Sequence, residues 1–256
     1  MSELEHVLQL ARRSVIRTAR QPANVIGPMV FPLMLLAVNS GGLRAETHLP
    51  GFPTDSFLAF ALAIPFIQGA LFTTLNAGTD LGRDIQTGFL SRLALTPLRP
   101  GSLIAGQLGG VVVLGFAQAL VYLTVGLICG VRPASGVAGV FVLLVYSVIV
   151  TLGFGALGTF VALRAGSTEV IQGLFPLFFV FLFISSMNVP RNLVGVTWFR
   201  DAATVNPVSY LIECVRSLII GGWDWQALAL GFGIGIALTV VAVTLAVRAL
   251  PGRLGR

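Results

Sequence analysis

The amino-acid sequence predicts an all-α membrane protein with six transmembrane helices, an N-terminal interfacial amphipathic helix and a re-entrant helical element before the last span. Of its 256 residues, 55% are hydrophobic and only 10% are charged, whereas an ordinary soluble domain has about 25% charged residues. Long apolar segments recur along the chain, and arginines gather at their ends. A water-soluble protein of this length needs far more polar surface, so the composition indicates a lipid environment.

The first predicted element is an amphipathic helix over residues 2–20. Ser2 and Glu5 have the spacing of a capping box. Arg13, Arg17 and Arg20 lie on one face, and another face carries apolar residues at helical spacing, namely Leu4, Leu8, Ala11, Val15 and Ala19. We expect this helix to lie in the headgroup layer with its arginines toward lipid phosphates. A helix packed on a partner protein is the alternative.

Six apolar segments follow, each without a charged residue in its middle and each long enough to cross about 30 Å of hydrocarbon. They are residues 23–41, 56–78, 103–129, 137–163, 170–189 and 226–247. Prolines within them predict local kinks, which neighbouring helices tolerate in a membrane bundle.

The arginines also predict the orientation of the chain. With the N-terminus inside, eleven of the sixteen arginines fall on the cytoplasmic side and five on the outer side. Because positive residues concentrate in cytoplasmic loops, we expect both termini in the cytoplasm.

Residues 190–225 form the predicted outer re-entrant region. Much of the segment is apolar, yet it holds Glu213 and Arg216, which are costly next to lipid. We therefore expect a helix pair that enters the outer leaflet and returns. Glu213 and Arg216 are three residues apart on one helical face, and we expect them to pair.

The loop at 79–100 is the most informative local segment. Ile85, Phe89 and Leu93 recur at every fourth position beside charged residues, which predicts a short helix near 82–97 that ends at the prolines. Apolar anchors on an exposed helix are typical of docking into a groove of another protein. A plain connecting loop is the alternative.

Two motifs resemble the membrane (permease) subunits of type-2 ABC exporters. The run Gly-Phe-Leu-Ser-Arg-Leu-Ala-Leu-Thr-Pro-Leu over residues 88–98 is similar to the cytoplasmic loop of that family. Asn206-Pro207-Val208-Ser209-Tyr210, followed by Glu213 and Arg216, is similar to the element before its last span. The resemblance covers nearly the whole chain as a single transmembrane domain over 1–256, and it is nearest to the daunorubicin-resistance branch. Gln86 departs from the family, which often has a charged residue there.

The resemblance implies an exporter of amphipathic drugs or lipid-like compounds in a bacterial plasma (inner) membrane. Its partners would be two copies of a P-loop ATPase, which bind ATP and Mg, and a second membrane subunit, identical or similar. The implied ATPase-coupling residues are Arg83, Asp84, Ile85, Phe89, Arg92, Leu93, Thr96 and Pro97. The implied outer gate consists of Asn206, Pro207, Tyr210, Glu213 and Arg216.

All sixteen basic residues are arginines, and the absence of lysine excludes a P-loop in this chain. We therefore expect ATP chemistry in a separate polypeptide and no cofactor bound here. The formal charge of +6 does not indicate nucleic acid, because the arginines lie at the ends of apolar runs rather than on one soluble face.

Six polar residues within or near the spans are candidates for a substrate path, with hydrogen bonding between helices as the alternative. They are Gln68, Asn76, Gln107, Gln118, Tyr122 and Gln172.

An intramembrane enzyme is disfavoured, because the histidines, His6 and His48, lie outside the spans. The remaining rival is an ion-coupled secondary carrier or channel. Such a protein usually needs an intramembrane carboxylate, for which Glu169 at a span edge is the nearest candidate.

Overall fold

The computed structural model describes residues 3–93 and 100–254, and within these ranges the regular structure is helical, with no strand. The α-helices are α1 (Glu3–Ala19), α2 (Pro22–Gly42), α3 (Phe57–Ala61), α4 (Ala63–Gln86), α5 (Phe89–Leu93), α6 (Pro100–Ile128), α7 (Gly136–Ala165), α8 (Thr168–Phe183), α9 (Thr197–Val205), α10 (Pro207–Arg216) and α11 (Trp225–Leu254). Short 3₁₀ turns occupy Arg44–His48 and Arg191–Leu193, and a π-helical turn occupies Ser217–Gly221.

Five helical stretches are long and apolar enough to cross a membrane. They are Val25–Gly42, Phe57–Gln86, Gly101–Ile128, Gly136–Ala165 and Trp225–Gly252. This confirms the predicted all-α membrane class. We call the end of the bundle that holds α5 the inner end and the opposite end the outer end, following the predicted orientation.

The predicted span over 170–189 is shorter in the structure. Its helix, α8, has 16 residues, which gives a length of about 24 Å. The helix ends early because Ser185 and Ser186 form hydrogen bonds that do not continue it. Ser185 donates a hydrogen bond back to the Leu182 carbonyl, and the Ser186 N–H donates to Ser209 Oγ at 3.1 Å. These bonds turn the chain from α8 toward α10.

Small residues set the close approach of α4 and α7 in the centre of the bundle. A side chain at Gly158 would collide with the Thr74 carbonyl, and one at Gly78 would lie 3.1 Å from the Gly158 carbonyl. Close backbone approach at small residues is typical of helix packing in membranes. Most of the apolar stretch that includes α4 is buried as a result, so α4 forms the centre around which the other helices pack.

Helix α1 packs along the first half of α6. Added side chains at Gly106, Gly109 and Gly110 would meet Leu10, Ala11 and Ser14. The predicted apolar face of α1 is thereby divided, because Ala11 packs inward while Leu8 is 59% exposed. Thus α1 is fastened to its own chain and still presents an apolar residue outward.

The segment before α11 is a helix pair that begins and ends at the outer end. Ser135, between α6 and α7, donates to the Leu218 carbonyl at 2.7 Å, and the Ala134 N–H donates to the Ile219 carbonyl at 2.9 Å. At the corner between α9 and α10, the Asn206 side chain accepts from the Val208 N–H at 3.0 Å and so caps α10.

Candidate functional site

The predicted coupling helix near 82–97 is interrupted in the structure. Helix α4 continues to Gln86, the chain then turns at Gly88 with φ +69°, and α5 is a separate five-residue helix. A left-handed φ favours glycine, so Gly88 is the physical reason for the break. Thr96 and Pro97 lie outside the described residues. Ile85 and Phe89 consequently do not form one continuous helical stripe.

Asp84 is buried at the inner end and is bound by two arginines of α1. Arg17 Nη1 lies 2.9 Å from Asp84 Oδ1, and Arg13 Nη2 lies 3.3 Å from the same oxygen. Arg17 also forms an ion pair with Asp80 at 3.3 Å. Charge-assisted hydrogen bonds of this kind offset the cost of removing a carboxylate from water. Asp84 therefore holds α1 against α4 and does not face outward.

Phe89 packs beneath α1. The Arg13 guanidinium lies 3.9 Å from the centre of the Phe89 ring, a cation–π distance. The ring also lines a cavity of about 30 Å³ together with Leu10 and Leu250. Through these contacts, α5 is attached to both ends of the chain.

The outward-facing residues of the same region are polar. Arg83, Gln86, Thr87 and Arg92 are exposed, and Arg92 Nη2 donates to the Thr87 carbonyl at 3.2 Å. Two guanidinium groups are therefore presented to solvent beside the turn at Gly88. This surface is suited to an acidic or carbonyl-rich protein partner.

At the outer end, Glu213 pairs with Arg191 and not with Arg216. Arg191 Nη2 lies 2.5 Å from Glu213 Oε2, and its guanidinium lies 4.5 Å from the centre of the Tyr210 ring. No hydrogen bond or ion pair joins Glu213 to Arg216 in the described structure. The predicted Glu213–Arg216 pair is therefore wrong, because Arg191 reaches the carboxylate from the loop after α8. Partial burial disfavours the charged guanidinium, but Glu213 and Tyr210 outweigh it and raise the pKa of Arg191.

Arg216 is buried and binds backbone carbonyls. Its guanidinium donates to the carbonyls of Phe60 at 3.3 Å, Ser186 at 3.0 Å and Met187 at 3.0 Å. It also lies 3.5 Å from the centre of the Phe60 ring. A planar group with five donors matches this set of acceptors, whereas an ammonium group does not. Arg216 thus joins α10 to the start of α3–α4 and to the turn after α8.

Comparison with known proteins places these two regions in one family. The family model described as "ABC-2 type transporter" matches residues 5–220, which covers most of the chain. The chain belongs to the ABC-2 type transporter family. It is a multi-pass membrane protein and the transport component of an ABC transporter.

Two bacterial permeases are among the relatives of this chain. The chain is 28% identical over 225 residues to the daunorubicin resistance ABC transporter permease protein DrrB1 of Streptomyces coeruleorubidus, covering 83% of this chain and 75% of that protein. It is 27% identical over 214 residues to the probable doxorubicin resistance ABC transporter permease protein DrrC of Mycobacterium tuberculosis, covering 82% and 75%. A putative transport permease, ycf38 of Porphyra purpurea, is 27% identical over 227 residues, covering 87% and 76%.

The polar span residues of this ABC-2 chain do not share one surface. Gln68 and Gln118 are buried. Asn76 and Gln107 line a small cavity of about 20 Å³ beside Asp80. Gln172 is exposed on α8. Their predicted role in a substrate path stays a prediction.

Tyr122, the last of the predicted path residues, has a visible structural partner. Its hydroxyl donates to the Pro28 carbonyl at 2.9 Å. Pro32 lies four residues after Pro28 in α2 and has no N–H to donate to that carbonyl. The Tyr122 hydroxyl replaces the missing helical hydrogen bond.

Four residues of the two regions escaped the sequence reasoning. They are Arg13 as a partner of Asp84, Arg17 as a partner of Asp80 and Asp84, Asp80 itself, and Arg191 as the partner of Glu213. One signal was available at the inner end. Arg13 and Arg17 are four residues apart, as are Asp80 and Asp84, so each pair lies on one helical face with opposite charge. Nothing in the local pattern connects Arg191 with Glu213, because the contact spans 22 residues.

Proposed function

We propose that this chain is the membrane-spanning subunit of an ATP-driven exporter that moves amphipathic drugs or lipid-like compounds out of the cell. Membership of the ABC-2 type transporter family supports the transport role. The drug class is carried over from the daunorubicin and doxorubicin resistance permeases that it resembles. ATP and Mg are bound by a separate ATPase subunit, in keeping with the lack of lysine in this chain.

The working assembly contains two copies of a P-loop ATPase and a second membrane subunit, identical or similar to this one. The complex lies in a bacterial plasma (inner) membrane with both termini of this chain in the cytoplasm. The distribution of arginines supports that orientation. In this arrangement, α5 and the exposed arginines beside Gly88 face the ATPase.

The proposed coupling role is supported by the contacts that join α1, α4 and α5. Asp84 at the end of α4 is held by Arg13 and Arg17 of α1, and Arg13 also covers the Phe89 ring of α5. A partner that displaces α5 therefore acts on two helices at once. Because packed elements move as units rather than deforming continuously, a movement of the ATPase is transmitted to the bundle.

The test is reconstitution with the ATPase that a tagged chain captures and mass spectrometry identifies. Arg92→Ala removes an exposed guanidinium and should weaken ATPase co-purification. Phe89→Ala should leave membrane insertion intact and lower both substrate-stimulated ATP hydrolysis and efflux. Arg200→Ala, which removes an exposed arginine of α9 at the other end of the bundle, is the matched control and should bind the ATPase normally.

Two results would contradict the proposal. Capture of no ATPase by the tagged chain would remove the exporter assignment. Unchanged ATPase binding, hydrolysis and efflux in both Phe89→Ala and Arg92→Ala would remove α5 and its arginines from the coupling role while leaving the family assignment intact.

A further inference from the structure

A cavity of about 410 Å³ opens at the outer end, between the connection from α2 to α3 and the segment between α8 and α9. Its walls are largely apolar and aromatic, with Leu49 from the first connection, Phe183 from the end of α8, and Trp198 and Phe199 from α9. Trp198 is 67% exposed, so the cavity is open at the side where this ring stands. A concave site with aromatic walls and few polar groups is typical of small-molecule binding.

Among the described residues that line this cavity, Glu46 is the only charged one. It forms no ion pair among the described residues, and its Oε2 atom is buried without a hydrogen-bond donor. Partial burial raises the pKa of the Glu46 carboxyl above its usual range. Arg44 and His48, its neighbours in the same 3₁₀ turn, are exposed and do not line the cavity. The carboxylate therefore lacks a counter-charge within the described parts of the chain.

Asn188, from the segment after α8, adds a second acceptor without a donor. Its Oδ1 atom is buried and has no donor within the described parts of the chain, and the residue lines the same cavity. A buried acceptor without a donor is unfavourable, so two such acceptors in one cavity favour a ligand that donates hydrogen bonds. Aromatic rings beside a carboxylate favour a positively charged donor over a neutral one.

We infer that this cavity binds the ammonium group of an amphipathic molecule, with Glu46 and Asn188 receiving the ammonium and the aromatic walls covering the apolar part. Two sources share this chemistry, namely a soluble amphipathic amine and the headgroup of phosphatidylethanolamine. The inference adds a ligand class to the exporter proposed above. Interpreting the ligand as transport substrate or bound lipid rests on that proposal. Binding itself is measurable without an ATPase.

The probe is dansylcadaverine, a primary amine whose fluorophore accepts energy from tryptophan. The chain has three tryptophans, so Trp223→Phe and Trp225→Phe leave Trp198 as the sole donor, in the cavity wall. In phosphatidylcholine nanodiscs, dansylcadaverine should give saturable energy transfer from Trp198. The N-acetylated probe, which keeps the fluorophore and lacks the charge, should bind about tenfold more weakly, as expected for the loss of one charged hydrogen bond.

Glu46→Gln keeps the shape of the side chain, removes its charge and should weaken dansylcadaverine binding about tenfold. Asp55→Asn is the matched control, because Asp55 is an exposed carboxylate of the same connection that does not line the cavity; its variant should bind as the parent does. Equal affinity of the parent and Glu46→Gln, equal affinity of the charged and acetylated probes, or absence of saturable transfer would each overturn the inference.

A last comparison separates the two sources. Replacing part of the phosphatidylcholine by phosphatidylethanolamine should raise the apparent Kd of dansylcadaverine if the lipid headgroup occupies the cavity. An unchanged Kd assigns the cavity to soluble amines. Failure of dansylcadaverine to bind leaves the ATPase experiments untouched, so this inference and the exporter proposal fail separately.

Discussion

Arg17 donates a hydrogen bond of 2.9 Å to Asp84 and thereby joins the first helix of the chain to the inner end of α4. The side chain of Asp84 is 9% exposed and that of Arg17 is 19% exposed, so the pair is largely shielded from solvent and from salt. Arg13 adds a second guanidinium to the same carboxylate. Helix α1, which sequence patterning assigns to the lipid surface, is thus also a structural strap bound to the inner end of α4.

Asp84→Ala should destabilise the protein more than removal of any exposed carboxylate. Both α1 arginines lose their shared acceptor, and removing one partner of a buried ion pair typically costs about 3–5 kcal/mol. Because Arg13 is partly exposed, we expect a value near the lower limit. The measurement is the free energy of unfolding in SDS, with Asp55→Ala as the control. A loss no larger than that of Asp55→Ala would show that the strap does not hold α1.

Double-mutant cycles should show that Glu213 is energetically coupled to Arg191 and not to Arg216. Arg191→Ala and Glu213→Ala remove the two halves of one ion pair, so their effects on unfolding should be coupled by about 1 kcal/mol. Glu213→Ala and Arg216→Ala act on different contacts and should be close to additive. Arg216→Lys should be nearly as damaging as Arg216→Ala, because lysine cannot reproduce the fork that reaches three carbonyls. Strong coupling between Glu213 and Arg216 would contradict this assignment and support an ion pair between those two residues.

The sequence predicted the all-α membrane class and most helix positions because burial in lipid requires long apolar runs, which are visible without a structure. It predicted less well where a single residue redirects the chain. Gly88 ends the continuity of α4 and α5 although the apolar spacing of Ile85 and Phe89 continues through it. Ser185 and Ser186 end α8 early for a similar local reason.

Partners of charged residues were the least predictable feature. Spacing along one helix favoured a pair between Glu213 and Arg216, but Arg191 is brought to Glu213 only by the fold. Arg216 then binds backbone carbonyls, which carry no signature in the sequence. The cavity that holds Glu46 likewise depends on the turn after α8 folding back toward the first connection.

Single-cysteine labelling should establish the orientation of the bundle. In a background with Cys129 and Cys214 replaced, a cysteine at position 48 should react with an impermeant maleimide added to intact cells. A cysteine at position 92 should react only after permeabilisation. His48 and Arg92 are both exposed, so neither substitution is shielded by packing. Labelling of position 92 from outside would reverse the orientation and exclude a cytoplasmic ATPase at α5.

The contact between Tyr122 and α2 gives the sharpest test of a role that the sequence left open. Tyr122→Phe keeps the ring and removes the donor to the Pro28 carbonyl, whose helical donor is absent because residue 32 is a proline. We expect a loss of about 1 kcal/mol in the free energy of unfolding, in the usual range for a hydrogen bond between membrane helices. In a Pro32→Ala background, the backbone N–H of residue 32 can donate to the same carbonyl, so Tyr122→Phe should cost much less. If Tyr122 instead serves the substrate path, Tyr122→Phe should alter efflux without altering stability, and Pro32→Ala should not rescue it.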